Sequence, residues 1–400
     1  MTSENQAWDP YAPADPATRL AEMDDARHRA AVAVISTARG ESYEILRYQD
    51  IVNTARDVET FSNGGGPRHE RRLPPLEYDP PEHRVYRDIL QPFFLPQRMR
   101  QLEPQVREIA IRLLTPLLAE GGGDFAKNLS YPLPVLGLCA QLDIPDDDWA
   151  EIKQWSEGSL LNESESPQER EWAETCHQNI LAYGRKLIDA RIALPLPPDQ
   201  DIISAMMQAN ATDKPLDRDF VAYTLRLFIS AGHNSTTGGL GNALMHLASH
   251  PADQEYLRAN PSEIPIAIEE ILRVYSPIQE MPRWANSDAE VGGCPIPKGA
   301  RVGLLWGSGN RDESAFPDAE QCILNRRPNR HLAFGSGIHM CLGAAMARME
   351  LRVTLEELLA RTSSFEISGT IVHTPFRRFG VSSLPVKITS SPVYANHPTD

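Results

Sequence analysis

The residue best placed to do chemistry is Cys341, which lies in the run Phe334-Gly335-Ser336-Gly337-Ile338-His339-Met340-Cys341-Leu342-Gly343. After it, apolar residues recur at Leu342, Met346, Met349, Val353 and Leu358/Leu359, the alternating spacing of a helix. Arg348, Glu350, Arg352, Glu356 and Glu357 are assigned to the opposite, polar face. Cys341 therefore sits at or just before a helix N-terminus, where free N–H groups and the macrodipole favour negative charge. That setting lowers a thiol's pKa, and the thiolate is the form that binds metals and attacks electrophiles. Gly335 and Gly337 allow a sharp turn and a close approach of backbone to a flat ligand.

A second concentration of polar side chains is Gly232-His233-Asn234-Ser235-Thr236-Thr237-Gly238-Gly239. It interrupts an apolar pattern that predicts one long helix from Asp217, a good N-cap, to His250 before Pro251. Glycine costs about 1 kcal/mol per interior helical site. Hydroxyl side chains bond back to carbonyls and bend the ladder. The run predicts a local distortion, and such distortions mark functional sites. Two spaced pairs also stand out. His83 and Arg87 share a face at i, i+4, and Glu270 and Arg273 can pair at i, i+3. Alone, each is an ordinary helix feature.

Together these motifs resemble the cytochrome P450 family over nearly the whole chain. The run ending at Gly343 fills every specified position of the family's cysteine loop, F-G-x-G-x-H-x-C-x-G. Glu270-Ile271-Leu272-Arg273 matches its E-x-x-R landmark. The resemblance implies a mainly α fold with small β-sheets. It also implies haem b held between the Asp217–His250 helix and the helix after Cys341, as one domain over 1–400 with extended tails at 1–20 and 389–400. Cys341 is then the iron ligand, and Phe334 and Gly343 complete the cofactor loop. His83, Arg87, Arg283 and His339 donate to the propionates. Glu270 and Arg273, joined by Arg326 (with Arg327 as the neighbouring alternative), lock the loop. Where the family carries an acid and a threonine over the haem, this chain has Asn234 and Ser235, followed by Thr236. Asn234 cannot relay a proton as a carboxylate does; His233, titratable near neutrality, is a possible substitute.

The implied activity is insertion of one oxygen atom from O2 into an organic substrate, a thiolate ligand favouring O–O cleavage. No flavin or iron–sulfur pattern is present, so electrons come from a separate ferredoxin-type donor. Arg98, Arg100, Arg330, Arg348 and Arg352 are expected near Cys341 as its docking face. Three alternatives remain: a peroxygenase using H2O2, the haem domain of a longer reductase fusion, and a non-enzymatic haem-thiolate sensor. The substrate is read as small and hydrophobic. If the basic residues Arg68, His69, Arg71 and Arg72 overhang the pocket, it carries a carboxylate.

Four hundred residues, 41% hydrophobic, can bury a large core. The net charge of -15 excludes nucleic acid as a partner. Five scattered cysteines make no disulfide framework or zinc motif, which fits a reducing cytoplasm. No signal peptide or membrane-spanning stretch is evident, and the chain is read as a monomer. A hairpin is predicted at Val32 to Leu46. Helices are predicted at Gln49–Asp57, from Asp79-Pro80-Pro81-Glu82 onward, and at Leu102–Leu118, Trp149–Leu161, Gln168–Leu194 and Pro265–Tyr275. Strands are expected near Arg283, Val302, Phe365 and Leu384, with Phe376 to Phe379 at a turn expected to touch the substrate.

Overall fold

The computed structural model describes residues 8, 15–37, 40–66, 71–163, 166–211, 214–374 and 378–392. Helices dominate: α1 Pro16–Arg29, α2 Tyr48–Arg56, α3 Glu82–Leu90, α4 Pro96–Ala119, α5 Pro132–Leu142, α6 Trp149–Ser159 and α7 Pro167–Ala193. They continue as α8 Ile202–Gln208, α9 Arg218–Ala231, α10 Asn234–Ser249, α11 Pro251–Ala259, α12 Ile264–Tyr275, the short α13 Trp306–Gly309 and α14 Ala344–Arg361. Proline begins several of them, where its missing N–H has no helical partner to lose. The helix-and-sheet reading holds element by element, but four expectations give way.

The long helix predicted from Asp217 to His250 does carry the expected distortion, but there it divides into two helices. Asp217 caps α9 as expected, accepting from the Phe220 N–H at 2.6 Å. The ladder is then interrupted at Gly232 and His233, which lie outside both α9 and α10. The next two changes are at the ends. The expected extended tail over 1–20 is not extended from Pro16 on: Asp15 caps α1 by accepting from the Ala17 and Thr18 N–H groups, and Trp8 is buried. At the other end Thr389 and Ser390 finish the strand Pro385–Ser390 and are not tail. Finally, the polar face assigned to α14 is only partly polar. Glu350 and Glu357 are buried, because α14 is packed on both sides, by α4 and α12.

A five-stranded sheet lies beside the helices. Val32–Thr37 and Gly40–Ile45 form the predicted hairpin. Gly40–Ile45 pairs in parallel with Arg301–Leu304, which runs antiparallel to Met281–Ala285, and Phe61–Ser62 closes the order. The parallel pairing joins segments more than 250 residues apart, so the sheet ties the N-terminal third to the region before the cysteine loop. A smaller sheet joins Thr362–Ile367, Pro385–Ser390 and Gly122–Asp124. The largest apolar core links α4, α10, α12 and α14, with fully buried Leu114, Leu244, Ile271 and Leu355 among its members. A second core joins α5 to α9. The cavity described next opens between these two cores. No helix among the described residues is long and apolar enough to cross a membrane.

Candidate active site

The cysteine loop is built by its glycines and one main-chain clasp. Gly335 and Gly337 have φ of +73° and +76°, a region L side chains avoid. A Cβ at Gly337 would lie 2.6 Å from the Ala55 carbonyl oxygen, so the close approach at this glycine is to α2 rather than to a ligand. The Cys341 N–H donates to the Phe334 carbonyl at 2.8 Å and fixes the loop's exit. The guanidinium of Arg348 lies 4.3 Å from the Phe334 ring centre and braces the loop from α14. Cys341 precedes the first residue of α14 by three positions.

Its thiol opens onto a cavity of about 480 Å³. Burial pushes the Cys341 pKa up, against the opposing pull of the Gly343 N–H and of Arg87 and Arg348. The expectation of a thiol lowered by the helix terminus is therefore corrected. α14 begins too late, and desolvation outweighs the main-chain dipoles.

Four cationic or imidazole side chains line the same cavity. His83 and Arg87 come from α3, Arg283 from the Met281–Ala285 strand and His339 from the loop. The rings of His83 and His339 meet edge to face at 4.4 Å. Buried and unpartnered polar atoms include His83 Nε2, Arg283 Nε and His339 Nε2. Burial, reinforced by Arg283, His83 and Arg87, drives the His339 pKa down to about 2, and burial alone takes Arg283 down to about 10. A buried group of donors with no acceptor is costly unless an anion completes it. Beside it, a Cβ on Gly343 would meet nothing within 4 Å, which leaves open space near Cys341. A planar group carrying two carboxylates and a thiolate-seeking metal fits this donor set.

Glu270 and Arg273 lie behind the loop, both fully buried. The Arg273 Nε and Nη2 groups each donate to the Glu270 carboxylate at 2.8 Å. The Arg326 Nε donates to Glu270 Oε1 at 2.9 Å, and the Asn329 amide to Oε2 at 3.0 Å. Arg273 also reaches the carbonyls of Asn310, Ala319 and Gln321. Arg327, the alternative third member, pairs with Glu263 instead.

On the opposite wall, α9 and α10 meet at the interrupted ladder. Three successive side chains turn back to carbonyls four residues earlier. His233 Nδ1–H donates to Ile229 at 3.1 Å, the Asn234 amide to Ser230 at 3.0 Å and the Ser235 hydroxyl to Ala231 at 3.5 Å. The Asn234 amide also donates to the Ser156 hydroxyl on α6, 3.1 Å away. Asn234, Ser235 and Thr236 line the cavity. The Thr236 hydroxyl makes no hydrogen bond with a described residue. His233 does not line the cavity. It is buried, and burial holds its pKa down at about 4, which removes it as a relay in place of the missing acid.

One ionisable cavity residue escapes the sequence reading. Glu350 is buried, its Oε1 has no partner, and burial raises its pKa well above the carboxylate range. Only its register on α14 could have placed it inside. Arg378, which belongs to the 376–379 turn expected at the substrate, does line the cavity and bridges to Ile278. Of the basic residues expected over the pocket, Arg68 and His69 lie outside the described residues. Arg71 is paired with Asp217 at 2.8 Å, and Arg72 packs over Tyr78. Elsewhere, His246, His250 and Asp253 cluster, with His246 Nε2 2.8 Å from the Asp253 carboxylate. That contact is a hydrogen bond of the α10–α11 corner.

A family model described as Cytochrome P450 matches residues 166–390. Cytochrome P450 130 of Mycobacterium tuberculosis is 33% identical, covering 87% of this chain and 89% of its own length. Erythromycin C-12 hydroxylase of Saccharopolyspora erythraea is 32% identical, over 88% and 90%. The structure of cytochrome P450 CYP109Q5 from Chondromyces apiculatus superposes with a TM-score of 0.86 at 30% identity, covering 97% and 99%. CYP109E1 from Bacillus megaterium, solved with corticosterone, gives 0.81 at 28%, covering 92% and 97%. Members of this family carry haem, and the cavity between Cys341 and Asn234 has the donors to hold it. By sequence, fold and cavity alike, the chain belongs to the cytochrome P450 family.

Proposed function

We propose that this P450 is a haem-thiolate monooxygenase in which Cys341 Sγ ligates the iron. The observation that carries the reading is the convergence of His83, Arg87, Arg283 and His339, short of acceptors, on the cavity into which Cys341 opens. These four would hold the two propionates of haem b, and Arg87 and Arg283 would supply charge-assisted bonds. When bound, haem supplies an iron centre at which an oxidant is reduced and an organic molecule oxygenated. The chain's own residues do the rest. Glu270, Arg273 and Arg326 hold the segment leading into the cysteine loop, and Phe334 backs it. Leu227, Phe228 and Leu160 give the substrate side of the cavity an apolar lining that excludes water. Thr236 would supply the hydroxyl that holds a water on this wall, since that of Ser235 turns back to Ala231. A separate ferredoxin-type protein delivers electrons at the surface bearing Arg100 and Arg330. Five free cysteines support a reducing cytoplasmic setting.

A second reading, oxidation driven by H2O2, has one observation in its favour. Asn234 carries no titratable proton, and its amide is committed to Ser230 and Ser156. Peroxide already carries the two electrons and two protons that O2 must acquire, so none has to be drawn from solvent through an acid at 234. The ligation test is the spectrum of the reduced, CO-bound protein. It should show the red-shifted Soret band of thiolate ligation and lose it in Cys341→Ser. A thiolate spectrum retained in that variant would move the ligand elsewhere. Comparing product yield from NAD(P)H plus ferredoxin with yield from H2O2 separates the two oxidants.

A further inference from the structure

Three guanidinium groups line the cavity, those of Arg87, Arg283 and Arg378. The first two belong with His83 and His339 at the propionate end. Arg378 does not. The carbonyl of its neighbour Phe379 accepts from the Asn242 amide of α10 at 2.8 Å, which places Arg378 on the α10 side of the cavity. The titratable groups that act on it are Tyr131 and, on α6, Glu157, and none of the propionate set is among them. The segment is pinned there by main-chain bonds: Phe379 N–H donates to Pro277 at 2.9 Å, and Ile278 bridges Arg378.

The Arg378 side chain makes no hydrogen bond or ion pair with a described residue, whereas its carbonyl accepts from Thr374 at 3.1 Å. The nearest acid, Glu157, is held by Lys153 at 3.1 Å. Around it the cavity is apolar, with Leu160, Leu227 and Ile278 in the wall. A largely desolvated cation without a counter-charge is costly unless a ligand completes it, and burial lowers its pKa accordingly. A guanidinium fork matches a carboxylate in particular.

We propose that Arg378 is the anion-binding subsite of this pocket, and that the substrate is an amphipathic monocarboxylic acid. Its carboxylate pairs with Arg378 and its apolar body lies toward the iron. The proposal rests on the haem-thiolate reading. It also relocates the carboxylate contact expected of the 68–72 loop, where Arg71 is already neutralised by Asp217.

The test is equilibrium binding to the haem-loaded protein, read both as a Soret shift and by calorimetry. The ligands are lauric acid and 4-butylbenzoic acid, each against its methyl ester; they separate an aliphatic from an aromatic source of the acid. At least one acid should bind about tenfold or more tighter than its ester. Arg378→Gln should bring that ratio to roughly one, Arg378→Lys should restore part of it, and Arg71→Gln should leave it unchanged. Equal affinity of acids and esters, no binding of either acid, or a preference that survives Arg378→Gln would each overturn the proposal. The CO-bound spectrum keeps the two readings apart. Its absence in the unmodified protein sinks the haem-thiolate reading, whereas a normal spectrum with no acid preference sinks this subsite alone.

Discussion

At the scale of single residues, the proposed departure from the family lies at Asn234 and Ser235, which the resemblance sets at the acid and threonine positions, and the contacts of Asn234 suit an amide there. The Asn234 amide donates at 3.0 Å to the Ser230 carbonyl, whose other donor is the more distant Ser156 hydroxyl at 3.5 Å. A carboxylate at 234 would face that carbonyl with no proton to give. Asn234→Asp should therefore turn toward the cavity and lose about 1 kcal/mol of stability. It should also raise the fraction of NAD(P)H converted to product and lower the relative yield from H2O2. Paired measurements of melting and of coupling check both halves; unchanged coupling would mean that the protons travel by another route. Thr236 offers a companion test. Its hydroxyl lines the cavity and has no described partner, while that of Ser235 is turned back to Ala231. Thr236→Val should then uncouple turnover more than Ser235→Ala does, with substrate affinity preserved in both.

At the scale of elements, how far the sequence could be read depended on whether a residue's partner is local. Helices and hairpin were legible because period and caps are local signals, as Asp217 over Phe220 illustrates. The break at Gly232 and His233 was legible only as a distortion, since composition does not say whether side chains will carry the ladder across it. Glu350 was misplaced because a helix packed on two sides has no clean polar face. The pairing of Arg71 with Asp217, 146 positions away, had no local trace. The E-x-x-R lock was legible through a motif, and its energetics can be tested. Glu270 and Arg273 are wholly buried, so Glu270→Gln leaves a charged guanidinium without a counter-charge. A loss of about 3–5 kcal/mol is expected, read as a lower Tm and faster haem loss. A second contact ties α12 to α14. Burial alone would raise the Glu269 carboxyl, but Arg348 and His331 outweigh it and hold it at about 2, below its ordinary 4.5. A carboxyl lowered in the folded state stabilises fully above its unfolded pKa and loses that contribution as pH falls. The Glu269 contribution is thus complete above 4.5 and fades toward 2. Glu269→Gln should flatten the fall of Tm between about pH 5 and pH 3, and an unchanged slope would assign acid sensitivity elsewhere.

At the scale of the whole molecule, a protein of net charge -15 must present a cationic face if an acidic ferredoxin is to find it. Five arginines were expected to form that face, and their contacts divide them. Arg348 is held by Glu269 through two bonds of 2.7 Å. Arg352 is shared between Glu103 and Glu356. Arg98 donates to the Gln200 carbonyl and the Gln101 side chain. Arg100 and Arg330 are exposed, and their side chains make no ion pair with a described residue. The cysteine loop also exposes Ile338 and Met340. The steering field is therefore smaller than five charges suggest, and two residues carry most of it. The second-order rate of reduction by an acidic ferredoxin should fall about tenfold or more from low to high ionic strength, because screening shortens the reach of exposed charges to about 8 Å at physiological salt. Arg100→Gln and Arg330→Gln should each lower the low-salt rate and flatten its salt dependence. Arg352→Gln should change the rate far less, since it removes a charge that Glu103 and Glu356 already compensate. Stopped-flow reduction across a salt series distinguishes these outcomes. A rate indifferent to salt, or most sensitive to Arg352, would place the donor elsewhere on the surface or make its docking apolar, through Ile338 and Met340.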